Sequence, residues 1–139
     1  MTDPFALALD VAPTRSDLCD LREAVGWARN ESDYPAAFER CFATVTARTP
    51  AGVLVGFCAL VSDGVRHAFL IDVIVAPAWQ RRGVGRALVE SAVARARGAG
   101  IALVHVDFTA ADEAFYRACG FAIGLAGILE TRSGEAVGS

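Results

Sequence analysis

Hydrophobic and polar positions are most regular in the centre of the chain. Residues 68–75, AFLIDVIV, are apolar and rich in β-branched side chains except for one aspartate, and Pro77 stops a strand from running on. From Val84 the period turns helical. Val84, Ala87, Leu88, Ser91 and Ala92 fall on one side, Arg86, Glu90, Arg95 and Arg97 flank them, and Gly98 and Gly100 end the pattern. A strand, a tight turn and a helix are predicted in that order.

The same reading extends in both directions. Residues 16–25 form a predicted helix capped by Ser16 or Asp17, with Leu18, Leu21 and Val25 as its apolar stripe. Residues 26–35 are rich in turn formers, and 35–44 read as a second helix with Phe38, Cys41 and Phe42 on one side. Strands follow at 44–48 and 53–61, and Asp63-Gly64 is a hairpin signal that pairs its flanking strands antiparallel. Downstream come a strand at 102–108, a short helix at 112–118 and a closing strand at 122–129. The polar tail from Thr131 is expected to fray.

Length and composition narrow the class. A chain of 139 residues buries roughly 68% of the surface its unfolded form exposes, enough for one core and not two. One domain over 1–139 is expected. No apolar run reaches the roughly 20 residues of a membrane span, and the first residues lack the basic start and apolar core of a signal peptide. The expectation is a cytoplasmic protein without a membrane partner. A net charge of −3 with no basic stripe argues against nucleic acid. Cys19, Cys41, Cys58 and Cys119 are widely spaced, and His67 and His105 are the only histidines, so neither a metal site nor a disulfide framework is expected.

The turn between strand and helix carries the chemistry. The first turn of a helix holds N–H groups without partners at the positive end of the macrodipole, a place suited to phosphate. Gly83 and Gly85 let an anion approach the main chain, and Arg81, Arg82 and Arg86 add charge. A Walker A loop is excluded because all 13 basic residues are arginines. A dinucleotide fingerprint is excluded because Leu88 stands where its third glycine belongs.

Gln80-Arg-Arg-Gly83-Val84-Gly85-Arg86-Ala87 resembles the acetyl-CoA-binding Gln/Arg-x-x-Gly-x-Gly/Ala motif of the GCN5-related N-acetyltransferase (GNAT) family. The preceding Val-x-Pro fits that family, and Phe115-Tyr116-Arg-Ala-Cys-Gly120-Phe121 is similar to its downstream Phe/Leu-Tyr-x-x-x-Gly-Phe segment. Together these cover about residues 52–129.

The resemblance implies an α/β fold: a mixed, mostly antiparallel sheet flanked by helices, with two central parallel strands that splay. It implies acetyl-CoA as cosubstrate and no metal. The pantetheine arm would lie between the strands ending near Val75 and Phe108, pairing with the main chain of Val73, Ile74 and Val75. The N–H groups of Arg81, Arg82, Gly83, Val84, Gly85 and Arg86 would hold the pyrophosphate. The activity implied is direct transfer of acetyl to a primary amine, on a small molecule or a protein, through a tetrahedral intermediate. Its oxyanion needs a donor such as the N–H of Ile74 or a neighbour, and Tyr116 is placed by the motif to serve the departing sulfur.

The proton of the incoming ammonium needs an acceptor. Asp72 is the only charge in its strand, and simple alternation puts it on the face of Leu70 and Ile74. It reads either as the base or as a carboxylate paired with an arginine. His105 and Asp107 are second candidates, while Val104 stands where some members of the family carry a glutamate base. Thr109 replaces a common asparagine, with a hydroxyl able to bind pantetheine or to cap the next helix, and Asp112 replaces a small residue. The amino-terminal helices are expected to wall the acceptor cleft, with Trp27, Tyr34, Phe38, Glu31 and Asp33 gripping a cationic amine. Two alternatives stay open: a non-catalytic CoA-binding regulatory domain, and an acyltransferase using another acyl-CoA. A homodimer through residues 122–129 is a further expectation.

Overall fold

The computed structural model describes residues 4–132, so most of the tail expected to fray lies outside the described residues. The elements are β1 (Ala6–Leu9), α1 (Arg15–Ala24), α2 (Ala36–Arg40), β2 (Ala43–Arg48), β3 (Leu54–Ser62), β4 (His67–Val75), α3 (Val84–Gly98), β5 (Leu103–Val106) and α4 (Glu113–Ala118). The sheet order is β1-β2-β3-β4-β5. Neighbours are antiparallel as far as β4; β4 and β5, joined through α3, are parallel.

Local chemistry explains most boundaries. Helix α1 starts one residue before its expected position because Thr14, not Ser16 or Asp17, is the cap: its Oγ1 accepts the Asp17 N–H at 3.1 Å. Helix α3 ends where expected, with Gly100 left-handed at φ +77 and Ile101 N–H donating to the Ala96 carbonyl at 3.1 Å, a Schellman closure. At the β3–β4 hairpin the Asp63 carboxylate accepts the N–H groups of Val65, Arg66 and His67 at 2.8, 2.8 and 3.1 Å. Those donors hold its carboxyl below the usual range.

Two expectations are corrected and one strand is added. Helix α2 ends at Arg40, not Thr44, because the Phe42 N–H donates to Leu60 O at 2.8 Å and draws the chain into the sheet. Strand β1, four residues long and assigned to no element in the sequence, pairs with β2 at the sheet edge. The closing strand at 122–129 does not form: these residues carry no ladder, Gly124 and Gly127 weaken any strand there, and Leu125 and Leu129 are exposed.

The core lies on both sides of the sheet. Under α3, Val45, Leu60, Leu70, Leu88 and Val89 pack with Tyr116 of α4; under α1, Leu18, Leu21, Phe57 and Ile74 pack with Tyr34. Full burial of each such aliphatic side chain contributes about 1.5–3 kcal/mol. Gly56 sets the distance between α3 and β3. A Cβ there would lie 2.9 Å from Val84 Cγ1, 3.0 Å from Leu88 Cδ1 and 3.2 Å from Ala47 Cβ.

Strand β4 contains a bulge. Phe57 pairs with Ile74 and Ala59 with Ile71, so Asp72 and Val73 together face Cys58, and Asp72 is left-handed at φ +52. Simple alternation therefore fails. Leu70 belongs to the α3 side and Ile74 to the α1 side, and Asp72 turns toward α1 instead of sharing a face with Leu70.

Candidate active site

The parallel pairing of β4 with β5 runs from His67–Leu103 to Leu70–Val106 and stops, while β4 continues to Val75. The strands thus part beyond Leu70. A cavity of about 250 Å³ opens between them, lined by Asp72, Val73, Phe108, Thr109 and Tyr116, with Trp27 from the loop after α1. A second groove runs along Val75, Gln80, Arg81, Gly85 and Phe115. The two meet at Val73, Asp112 and Tyr116, which line both.

Within β4 the main chain discriminates between the three residues expected to meet pantetheine. The Ala76 N–H donates to Val55 O at 2.8 Å, so strand alternation points the N–H of Ile74 toward β3 as well. That of Val75 faces the open side. Ile74 is 2% exposed and its side chain lines neither cavity.

The turn before α3 has the features of an anion cradle. Gly83, at φ +85, is the cap residue and provides no side-chain bond to the first turn. Arg81 is also left-handed, at φ +62. Residues of alternating hand converge successive N–H groups into a concavity, and the first N–H groups of α3, from Val84 to Arg86, have no intrahelical acceptor. A Cβ on Gly83 would meet open space, whereas one on Gly85 would lie 3.3 Å from Phe115 Cζ and 3.5 Å from Val75 Cγ2. Gly85 keeps the groove open. The Gln80 amide donates to Val75 O at 3.1 Å, tying turn to strand. Arg81 lines the groove, Arg82 stacks on Trp79 at 5.0 Å, and Arg86 pairs with Glu90 at 2.9 Å. Val84 contributes only main chain, its side chain being 1% exposed.

Tyr116 is fixed by aromatic contacts with Phe108, Phe115 and Phe121 at centroid distances of 5.0, 5.0 and 5.7 Å. Burial, and then the Asp112 charge, push its phenol well above the usual range, so it stays protonated and able to donate. Asp72 has two partners on Oδ2: Arg22 Nη1 at 3.4 Å and the Tyr34 hydroxyl, also at 3.4 Å. Burial raises its carboxyl above the usual range against the pull of Arg22.

Other candidates separate from the site. His105 bonds with His67 at 3.0 Å and stacks on Phe69, away from the central cavity, whereas Asp107 lines it. Thr109 lines it too but gives no side-chain cap to the turn after it, so its capping role is corrected. Tyr34 and Phe38 stack on each other at 4.8 Å within the core. Glu31 is taken by Arg29 at 2.6 Å and Asp33 by Arg132 at 3.3 Å. Of the expected acceptor wall, only Trp27 reaches the cavity.

Sequence reasoning missed Arg22. It is 2% exposed, donates through Nε to Ala28 O at 2.7 Å, lies 5.3 Å from the Trp27 ring centroid and meets Asp72. Its signal was present: with Leu18, Leu21 and Val25 it falls on the i, i+3, i+4, i+7 stripe, so a charge there implied a buried partner.

Splayed strands beside an uncapped, glycine-built helix start define an acyl-CoA-type binding fold. The model of the acetyltransferase (GNAT) family matches residues 12–121, and the chain belongs to that family of acyltransferases. Over 78 residues it is 38% identical to serotonin N-acetyltransferase 2, chloroplastic, of Oryza sativa subsp. japonica, a match covering 56% of this chain and 39% of the rice protein. The chain thus spans about two-fifths of that relative's length. A GNAT-family acetyltransferase of Streptococcus pneumoniae TIGR4 superposes with a TM-score of 0.80 at 26% identity, covering 94% of this chain and 99% of its own. An aminoglycoside N-acetyltransferase solved in complex with CoA shares the fold, with a TM-score of 0.74 at 17% identity and coverage of 96% and 97%. Among the described residues, no helix is long and apolar enough to cross a membrane.

Proposed function

We propose that this domain is an acetyl-CoA-dependent N-acetyltransferase that passes acetyl directly to a primary amine through a tetrahedral intermediate. The observation that carries the reading is the junction at Val73, Asp112 and Tyr116, where a groove leading from the anion cradle meets a separate cavity. A donor and an acceptor entering by different routes would meet there.

The N–H groups from Arg81 to Arg86 hold the pyrophosphate, with Arg81 nearest the groove. Val73 and Val75 offer main-chain groups to pantetheine, and the N–H of Val73, at the bulge, stabilises the developing oxyanion. Tyr116 donates to the departing sulfur. Asp72 accepts the ammonium proton, directly or through water; its raised pKa makes it a stronger base than a surface carboxylate, and Arg22 and Tyr34 hold it in place.

Calorimetric titration with acetyl-CoA, CoA and dephospho-CoA, followed by thiol release against an amine panel, tests the reading. Binding with turnover is expected. Binding without turnover on any amine or acyl donor would assign a CoA-binding regulatory domain instead, preferential turnover of a longer acyl-CoA would change the donor, and no binding would overturn the proposal.

A further inference from the structure

Among the described residues, Arg22 is the only charged side chain withdrawn almost wholly from water, at 2% exposure. A guanidinium in that position is costly unless its donors are used. Its uses divide between two parts of the acceptor cavity. On one side it holds the loop after α1: the Arg22 carbonyl accepts the Trp27 N–H at 3.0 Å, Nε donates to Ala28 O at 2.7 Å, and the guanidinium lies 5.3 Å from the Trp27 ring centroid. On the other it reaches β4, where Nη1 meets Asp72 Oδ2 at 3.4 Å. Trp27 and Asp72 both line the cavity.

Asp72 needs such a hold. It is left-handed at φ +52 within the bulge, a conformation that a residue other than glycine keeps only where its surroundings fix it. Its two protein partners, Arg22 and the Tyr34 hydroxyl, converge on Oδ2. Oδ1 has no partner among the described residues. The carboxylate is anchored by one oxygen while the other stays available to a nitrogen or a water. Burial favours its protonated form, which cannot accept a proton; Arg22 opposes burial first and the Tyr34 hydroxyl second. The other titratable groups around it are Cys41 after α2 and, lining the same cavity, Asp107 and Asp112. None of these supplies a positive charge.

We propose that Arg22 is a positioning residue for acetyl transfer: one buried guanidinium ties the Trp27 loop to Asp72, so that the side chain that shapes the acceptor's seat also presents the free Oδ1 to its nitrogen. The inference rests on the acetyltransferase reading and adds to it a coupling between acceptor binding and the base. Loss of Arg22 acts on both at once. The loop is released, so the acceptor binds less well, and the carboxylate keeps its proton to higher pH, so transfer fails first on the acid side. Loss of a guanidinium that only filled the core would lower activity equally at every pH.

The experiment compares the unaltered protein with Arg22→Met, Arg22→Lys and Trp27→Leu. Steady-state transfer gives kcat and acceptor KM from about pH 5 to about pH 9. Carboxyl-carbon NMR, with the Asp72 resonance assigned through Asp72→Asn, follows that group in the CoA-loaded protein without turnover. In Arg22→Met the resonance is expected to titrate at higher pH, and kcat/KM to fall at least about tenfold further at the acid end than at the alkaline end. Arg22→Lys keeps the charge and loses the fork, so the acid limb should hold its place while acceptor KM rises about threefold or more. Trp27→Leu should raise KM by a like factor without moving the limb, and less than additively with Arg22→Lys. An Asp72 titration unmoved by Arg22→Met, a rate loss equal at all pH values, or full additivity of Arg22→Lys with Trp27→Leu would overturn the inference; the last of these decides alone where Arg22→Met fails to fold. A moved Asp72 titration in a protein that transfers acetyl to no amine would uphold the grip of Arg22 on Asp72 and sink the catalytic reading.

Discussion

Adding one methyl group at Gly56 tests the link between the core and the turn. The new Cβ would sit 2.9 Å from Val84 Cγ1, 3.0 Å from Leu88 Cδ1 and 3.2 Å from Ala47 Cβ. Val84 and Leu88 are 1% and 0% exposed, so neither has free space to retreat into, and α3 must lift from β3. Overpacking of this kind costs about 1–3 kcal/mol, offset by about 0.4–1 kcal/mol from the reduced freedom of the unfolded chain. The expected net loss is about 1–2 kcal/mol, roughly 3–7 °C in Tm for a chain of this length. Because α3 begins at the anion cradle, acetyl-CoA affinity should fall as well. Thermal unfolding and calorimetry on Gly56→Ala, Val84→Ala and the double variant form the assay. The double variant should be more stable than the sum of the singles by at least about 0.5 kcal/mol, since the 2.9 Å clash is gone. An unchanged or raised Tm for Gly56→Ala, or strict additivity, would refute the close approach.

Tyr116→Phe should lower kcat by about 100-fold while cofactor affinity changes by less than about twofold; equal losses in both would assign the ring to packing. Gly83→Asp combined with Arg82→Glu should abolish acetyl-CoA binding and lower Tm, because Gly83 is left-handed at φ +85 and a side chain there is strained even in open space; calorimetry well below the variant's Tm reads the affinity of the folded protein. Arg22→Met leaves the Asp72 charge half-buried and unpaired, so a loss toward the lower end of about 3–5 kcal/mol is expected in denaturant unfolding, with part restored by adding Asp72→Asn. Burial and the nearby Asp72 push Tyr34 from its ordinary 10 up to about 12. Its protonated form stabilises the fold fully below pH 10, and that contribution is lost as pH rises through about 12. Unfolding measured across this window should show a decline that Tyr34→Phe flattens.

The elements legible in the sequence were those whose cause is local. The AFLIDVIV strand, the helical period from Val84, the glycine stop of α3 and the Asp63-Gly64 hairpin all rest on neighbours in sequence, and all four form. The shared Gln-x-x-Gly-x-Gly and Phe-Tyr patterns placed the turn and Tyr116 on the two sides of one groove. The closing strand misled because residues 122–129 are apolar enough to resemble one, but pairing needs a partner edge and tolerates glycines poorly.

Sequence by itself determined the central run of strands and helices and the family, because periodicity and glycine placement act within a few residues of their cause. Tertiary structure alone decided which atoms face the site. The bulge at Asp72 is a matter of register against β3, and it puts Leu70 and Ile74 on opposite faces of the sheet. The pairing of Asp72 with Arg22, 50 residues apart by their numbers in the sequence, and the approach of α3 over Gly56 depend on packing between distant segments, which no local pattern encodes.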